Sequence, residues 1–323
     1  MTKEERSRAL RLGAYAATWI IWGSTYLAIK YGVETLPPFW MAGVRSVAAG
    51  AILFAWGRLR GDALPTAAQW RAAALTGALF FLLGHGGLFW GEQRVASGPA
   101  SLFVATEHLW IVLIALLGGA RPSKRALAGV ALGLGGVTLL TVGGAGAGAV
   151  DPLGAAVIVG CALAWAMGIV YFRGPRRPAS DLFASAAPLL TGGVMLLVFS
   201  AAIGEFGRVT ADDLTTRAVL SLAYLVVFGS VIAFTALTFL TRTEGPGRSA
   251  SYAYVNPLVA VALGWAFAGE PLTARVVASA VAIVAAVVLV VTGTRAAPDQ
   301  AANEAVSSPT RPTRSPRLRE MEG

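Results

Sequence analysis

The sequence predicts an all-α integral membrane protein whose ten transmembrane helices form two inverted five-helix repeats. Three observations carry that prediction. Of 323 residues, 56% are hydrophobic and 13% charged, against about 25% charged in an ordinary soluble domain, which excludes one large soluble enzyme. Apolar runs close to the ~20 residues that cross a hydrocarbon core recur ten times. The basic residues then alternate between successive connections, as membrane insertion requires.

The spans follow in order at about 12–31, 39–57, 71–90, 98–117, 125–143, 152–172, 182–203, 217–240, 248–267 and 274–293. The first lies between the polar segment 1–11 and Pro37-Pro38. It is too long for a signal-peptide core and lacks a small-residue cleavage site, so it reads as a retained span. Gly61 with Asp62 ends the second, Gly98-Pro99 opens the fourth, and Pro122 and Pro152 bracket the fifth and open the sixth. Gly174-Pro175, Gly245-Pro246 and Pro271 mark the later boundaries.

With a cytoplasmic N-terminus, 20 of the 26 Lys and Arg fall in inside segments and five in outside segments: Lys30, Arg94, Arg208, Arg217 and Arg275. Adding or removing one interior span would scramble this pattern. The net charge of +9 is therefore a topological signal and not a nucleic-acid footprint. Arg45 alone lies well inside a span rather than at its end. Residues 294–323, rich in Pro, Ser, Thr, Ala and Arg, read as a disordered basic cytoplasmic tail. Its arginines either meet anionic lipid headgroups or have no role. The single cysteine, Cys161, excludes an intramolecular disulfide and any Cys-based metal site. No cofactor or metal is expected.

Sliding the chain by 150 positions aligns Ala100-Ser101 with Ala250-Ser251, Gly119 with Gly269, Arg125 with Arg275, Leu139 with Leu289 and Gly143 with Gly293. A register one residue away pairs Pro122 with Pro271. The organisation is thus 1–11, a first repeat over 12–143, a second over 152–293, and the tail. Five crossings return the chain to the opposite side, so the second repeat enters inverted. That is a common plan of secondary transporters, with substrate bound near the midplane between halves.

Short motifs sharpen this reading. Trp22-Gly23-Ser24-Thr25-Tyr26 followed by Pro37-Pro38, Arg45, Gly91-Glu92-Gln93 with Ser97-Gly98, Asn256-Pro257, and Gly269-Glu270-Pro271-Leu272-Thr273 together resemble the drug/metabolite transporter superfamily, EamA-type. The resemblance covers about residues 10–294. It implies two EamA domains and export of metabolites, amino acids or drugs. It also implies a central cavity lined by the first four helices of each half, with the fifth and tenth peripheral. The sequence departs from the pattern twice: His108 stands where a proline is frequent, and Gly119-Ala120 lacks the glutamate of Gly269-Glu270.

Ionisable groups in mid-span cost about 2.5–3.5 kcal/mol on insertion scales, so they face a partner or a wet cavity. Arg45 and Glu107 are such groups, and either reach each other or both face the cavity. In one reading Arg45 binds a substrate carboxylate and Glu107 an ammonium or a proton; in the other they form a permanent ion pair. His108 beside Glu107 suggests proton coupling, although neighbours on a helix point about 100° apart. His85, among glycines, is a substrate contact or a hydrogen-bonded interhelical histidine. Trp22 and Tyr26, Trp165, and the i,i+4 pair Tyr252 and Asn256 offer ring edges to a flat or cationic substrate. Trp40, Trp56, Trp70 and Trp90 read as interfacial belt, and Trp110 and Trp265 as packing. Gly129/Gly133 and Ala278/Ala282/Ala286 suit tight helix contacts within the chain.

The function expected is an inner-membrane secondary exporter of small metabolites such as amino acids, working by alternating access. The alternative is proton-coupled efflux of lipophilic cationic drugs. From another class, an intramembrane lipid-handling protein or enzyme lacks support, since H-E-x-x-H, G-x-S-x-G and the nucleotide-binding G-x-x-x-x-G-K-[ST] are all absent. The expected partners are a small-molecule substrate, protons and membrane lipids, with no nucleic acid; the chain is a monomer or a homodimer, multi-pass, with both termini cytoplasmic.

Overall fold

The computed structural model describes residues 2–142, 150–172, 174–249 and 251–307. Among them the chain forms ten helical segments. We number these α1 (3–33), α2 (Pro38–Leu59), α3 (Ala67–Gly91), α4 (Ser97–Leu117), α5 (Lys124–Thr141), α6 (Pro152–Tyr171), α7 (Asp181–Ala202), α8 (216–249), α9 (Tyr252–Ala268) and α10 (Ala274–Ser307). Seven of the ten are long and apolar enough to cross a membrane, and α9 is a shorter apolar helix. Local chemistry sets the ends. Thr2 with Glu5 and Thr66 with Gln69 form capping boxes at α1 and α3, while Ser123, Asp151, Ser180 and Thr215 cap α5 to α8. Each satisfies amides that a helix start leaves without an intrahelical partner.

Equivalent helices of an inverted repeat must run antiparallel where they meet, and these do. On α2, Gly43, Gly50 and Gly57 lie against Leu197, Leu190 and Phe183 of α7, in descending order. On α5, Gly129 meets Ala286 and Val290 of α10, and Gly136 meets Ala282 and Ile283. The small residues let the helices approach closely in lipid, where packing replaces the hydrophobic drive. The expected small-residue stripes thus join α5 to α10 within one chain. α5 and α10 take no part in lining the central cavity, and neither does α7, which the resemblance counts among the lining helices.

Finer features repeat too. Gly119 after α4 and Gly269 after α9 both take left-handed conformations, with φ of 85° and 64°; a side chain there would be strained, and glycine is not. π-helical turns interrupt α3 at Ala78–His85 and α8 at Val227–Ile232, close to the 150-residue offset. A third interrupts α1 at Ala17–Ile21.

Two expectations need correction. The helix of α10 continues to Ser307, so 294–307 are helical where the composition suggested disorder; the Ala-rich run there favours helix. The remainder of the proposed tail, 308–323, lies outside the described residues. Trp265, expected in packing, is 59% exposed on the outside of the bundle, because nothing in hydropathy separates a lipid-facing ring from a buried one.

Gly129→Ala would place a methyl 2.8 Å from the Ala286 carbonyl oxygen, whereas Gly135→Ala meets nothing within 4 Å. We expect Gly129→Ala to lower stability by about 1–3 kcal/mol in thermal unfolding of the detergent-solubilised protein, with Gly135→Ala neutral. Equal melting of the two would contradict the α5–α10 packing.

Candidate functional site

A cavity of about 130 Å³ lies between the two repeats. α1 contributes Trp22, Thr25, Tyr26 and Ile29, α2 Arg45, α3 His85 and Leu88, and α4 Val104 and Glu107. The second repeat adds Cys161, Ala162 and Trp165 from α6, Phe234 from α8, and Tyr252 and Asn256 from α9.

Arg45 is only 4% exposed. Its Nε donates to Ser230 Oγ at 3.1 Å, across the repeat interface, and Ser230 in turn donates to the Leu225 carbonyl at 3.0 Å. The π-helical turn of α8 makes this possible, since widening the helix frees a carbonyl and rotates Ser230 toward α2. The guanidinium carbon also stands 5.8 Å from the Phe89 ring centroid, within cation–π range. A guanidinium has five N–H donors; with Nε committed, the terminal nitrogens are available to an anionic guest.

Glu107 is 7% exposed, and its Oε1 has no hydrogen-bond partner among the described residues. It follows a break in α4 at Ala105-Thr106, where Thr106 bonds back to the Phe103 carbonyl. Arg45 and Glu107 form no ion pair. Both face the cavity, and neither is paired with the other.

The aromatic residues form the walls. Trp22 Nε1 donates to the Gly229 carbonyl at 3.0 Å, and its ring meets Tyr252 and Phe234 edge-on at 4.8 and 5.4 Å. His85 stacks on Trp165 at 5.1 Å, and Phe80 covers the same indole at 4.5 Å. Asn256, with its amide turned to satisfy its neighbours, donates to the Trp19, Thr18 and Tyr252 carbonyls at 3.0–3.2 Å. It therefore bridges α9 to the π-helical turn of α1.

Eight of the nine residues singled out from sequence line the cavity: Trp22, Tyr26, Arg45, His85, Glu107, Trp165, Tyr252 and Asn256. His108 does not. It lies about 100° round α4 from Glu107, 6.4 Å from the Tyr252 ring centroid. Sequence reasoning missed Ser230, Thr25, Cys161 and Phe234. Ser230 carried a signal, a polar residue beside Gly229 in an apolar run, but its pairing with Arg45 depends on the π turn.

Beyond the cavity lining, Glu270 ties the second repeat to the start of α4. From the α9–α10 connection its carboxylate accepts from Ser97 N, Ser97 Oγ and Gly98 N at 2.6, 2.8 and 2.9 Å, capping α4. Lys30 Nζ stands 3.9 Å away. Elsewhere between the repeats, Arg11 pairs with Glu244 at 3.3 Å and Trp19 Nε1 donates to Ser251 Oγ at 3.1 Å. The repeat equivalent of Glu270 is Ala120, which has no carboxylate to offer at the matching place.

The family model described as the EamA-like transporter family matches this chain twice, over residues 12–142 and 152–292. The chain belongs to the EamA-like transporter family. This EamA-like transporter is 41% identical over 282 residues to the protein named uncharacterized inner membrane transporter YedA of Escherichia coli strain K12, covering 87% of this chain and 90% of that one. It is 28% identical over 286 residues to the transporter YvbV of Bacillus subtilis strain 168, covering 86% and 90%. A solved crystal structure at 20% identity shares the fold, with a TM-score of 0.57 over 90% of this chain and 99% of that one. The protein is thus a multi-pass membrane transporter acting on a small molecule, and not an enzyme.

Glu270→Ala would strand the Ser97 and Gly98 amides at the start of α4. We expect a loss of about 1–3 kcal/mol in thermal unfolding, with Ala120→Glu, its repeat counterpart, giving no such loss. An unchanged melting curve for Glu270→Ala would show that the clamp does not hold α4.

Proposed function

We propose that this transporter exports small zwitterionic metabolites, amino acids foremost, across the inner membrane by alternating access, with both termini cytoplasmic. The observation that carries the reading is an aromatic-walled cavity between the repeats, lined by two buried and mutually unpaired opposite charges, Arg45 and Glu107. A carboxylate on Arg45 and an ammonium at Glu107 would complete both. Each charge is costly to leave unmatched in a low-dielectric interior, so a guest that satisfies both gains most.

Size favours the same class. A cavity of about 130 Å³ is comparable to the ~150 Å³ cavities that admit benzene-sized guests, and below the ~300–1,000 Å³ typical of drug-sized ligands. A lipophilic cation would use Glu107 and the aromatic walls but leave Arg45 unmatched. The excess of basic residues on one side supports the cytoplasmic placement of both termini, which puts the Glu270 clamp at the external end.

Counterflow in proteoliposomes with a labelled pool of the common amino acids tests this. Arg45→Ala and Glu107→Gln should each slow exchange at least tenfold, since losing one partner of a buried charged contact costs about 2–5 kcal/mol. Exchange of lipophilic cations that survives Arg45→Ala but not Glu107→Gln, with no amino-acid exchange, would replace this reading with the drug-efflux one.

A further inference from the structure

Glu92, in the turn between α3 and α4, does not line the central cavity, yet it is 3% exposed and neither carboxylate oxygen has a hydrogen-bond partner among the described residues. It caps the C-terminus of α3, where its own amide bonds back to the Leu88 carbonyl at 2.9 Å. A helix C-terminus carries partial negative charge and disfavours a carboxylate. Burial, then the Glu270 carboxylate, hold Glu92 well above the ordinary carboxylate range, against the pull of Lys30 and Arg45.

The charged and titratable groups that act on it electrostatically come from three elements. α1 brings Tyr26 and Lys30, α2 brings Arg45, and the α9–α10 connection brings Glu270. α6 packs on the preceding Gly91 through the uncharged Ile158 and Gly154. Glu270 is already satisfied by three donors and Lys30 is drawn to it. With no donor among the described residues within hydrogen-bond reach of either oxygen, the buried Glu92 carboxyl is better accommodated carrying a proton.

We propose that Glu92 is a proton-binding site that links the charge state of Arg45 in the cavity to the Lys30–Glu270 clamp, so that substrate and one proton cross the membrane together. This rests on the proposed function in taking a carboxylate substrate, alternating access and the external placement of the clamp. The sign follows from electrostatics. An unoccupied Arg45 favours ionised Glu92; a substrate carboxylate on Arg45 cancels that field, and Glu92 takes up a proton. Reciprocally, a proton on Glu92 leaves Arg45 free for the substrate, since coupling between two sites is mutual. The proton on Glu92 also leaves Lys30 to Glu270, keeping the clamp closed while the cavity fills. On release at the external side the proton leaves with the substrate, and export runs down the substrate's own gradient.

The test uses proteoliposomes of the full chain, loaded with the labelled amino-acid pool and a luminal pH dye, and diluted into substrate-free buffer. Efflux by the wild type should alkalinise the lumen. Glu92→Gln should still exchange label in counterflow but bring alkalinisation down to the protein-free baseline, and Glu92→Asp should restore it. Luminal acidification in the wild type, or alkalinisation that persists in Glu92→Gln, would overturn the proposal. A second arm needs no substrate: infrared titration of the protonated-carboxyl band should show one titrating group fewer in Glu92→Gln. An unchanged band overturns the site by itself. A wild type that exchanges no amino acid but loses the band in Glu92→Gln supports the proton site and overturns only the amino-acid reading.

Discussion

A guanidinium inside a lipid-embedded bundle has to be solvated by the protein, and much of this architecture follows from where Arg45 sits. Its Nε is held by Ser230 of the other repeat, and Ser230 reaches it because α8 widens into a π turn. The same turn exposes the Gly229 carbonyl to Trp22, which fixes the indole that walls the cavity. Gly229 itself has no room for a side chain of any stiffness, since a Cβ there would approach Thr25 at 3.0 Å and an Arg45 terminal nitrogen at 3.3 Å. One buried charge thus accounts for a helix distortion, a serine, a glycine and an aromatic anchor.

Around that centre the two repeats are joined by contacts that are close where they are symmetric and polar where they are not. Glycine-mediated approach of α2 to α7 and of α5 to α10 supplies the symmetric frame. The asymmetry lies at the ends, where Glu270 caps α4 and Ala120 caps nothing. An inverted repeat with identical ends would have no preferred resting side. A carboxylate holding three donors at one end biases that preference, and Glu92 stands beside it with a charge state that can respond to the cavity.

The fold was legible because hydropathy, breakers and charge alternation agree with one another: α2 was expected over 39–57 and runs Pro38–Leu59, and α6 was expected over 152–172 and runs Pro152–Tyr171. α1 starts earlier than its apolar run because the Thr2–Glu5 capping box nucleates helix in a polar segment. Within the site, the cost of an intramembrane charge pointed to Arg45 and Glu107, and helical spacing carried Trp22 with Tyr26 and Tyr252 with Asn256 to the same cavity. Hydropathy could not foresee π turns, so Ser230 was passed over as Arg45's partner. It could not choose between Glu107 and His108, which only the rotation of α4 separates. Glu92 and Glu270 are motif residues, but their electrostatic coupling depends on how the α3–α4 and α9–α10 connections fold together.

The central claim is that the cavity between the repeats is the transport site and opens in turn to each side of the membrane. The chain's single cysteine reports on it directly, because Cys161 lines that cavity. The decisive measurement is the rate at which a membrane-impermeant thiol reagent labels Cys161 from the luminal and from the external side of oriented vesicles. The account predicts labelling from both sides, slowed by the amino-acid pool and lost in Cys161→Ser. Labelling from one side alone, at a rate indifferent to any solute, would contradict it.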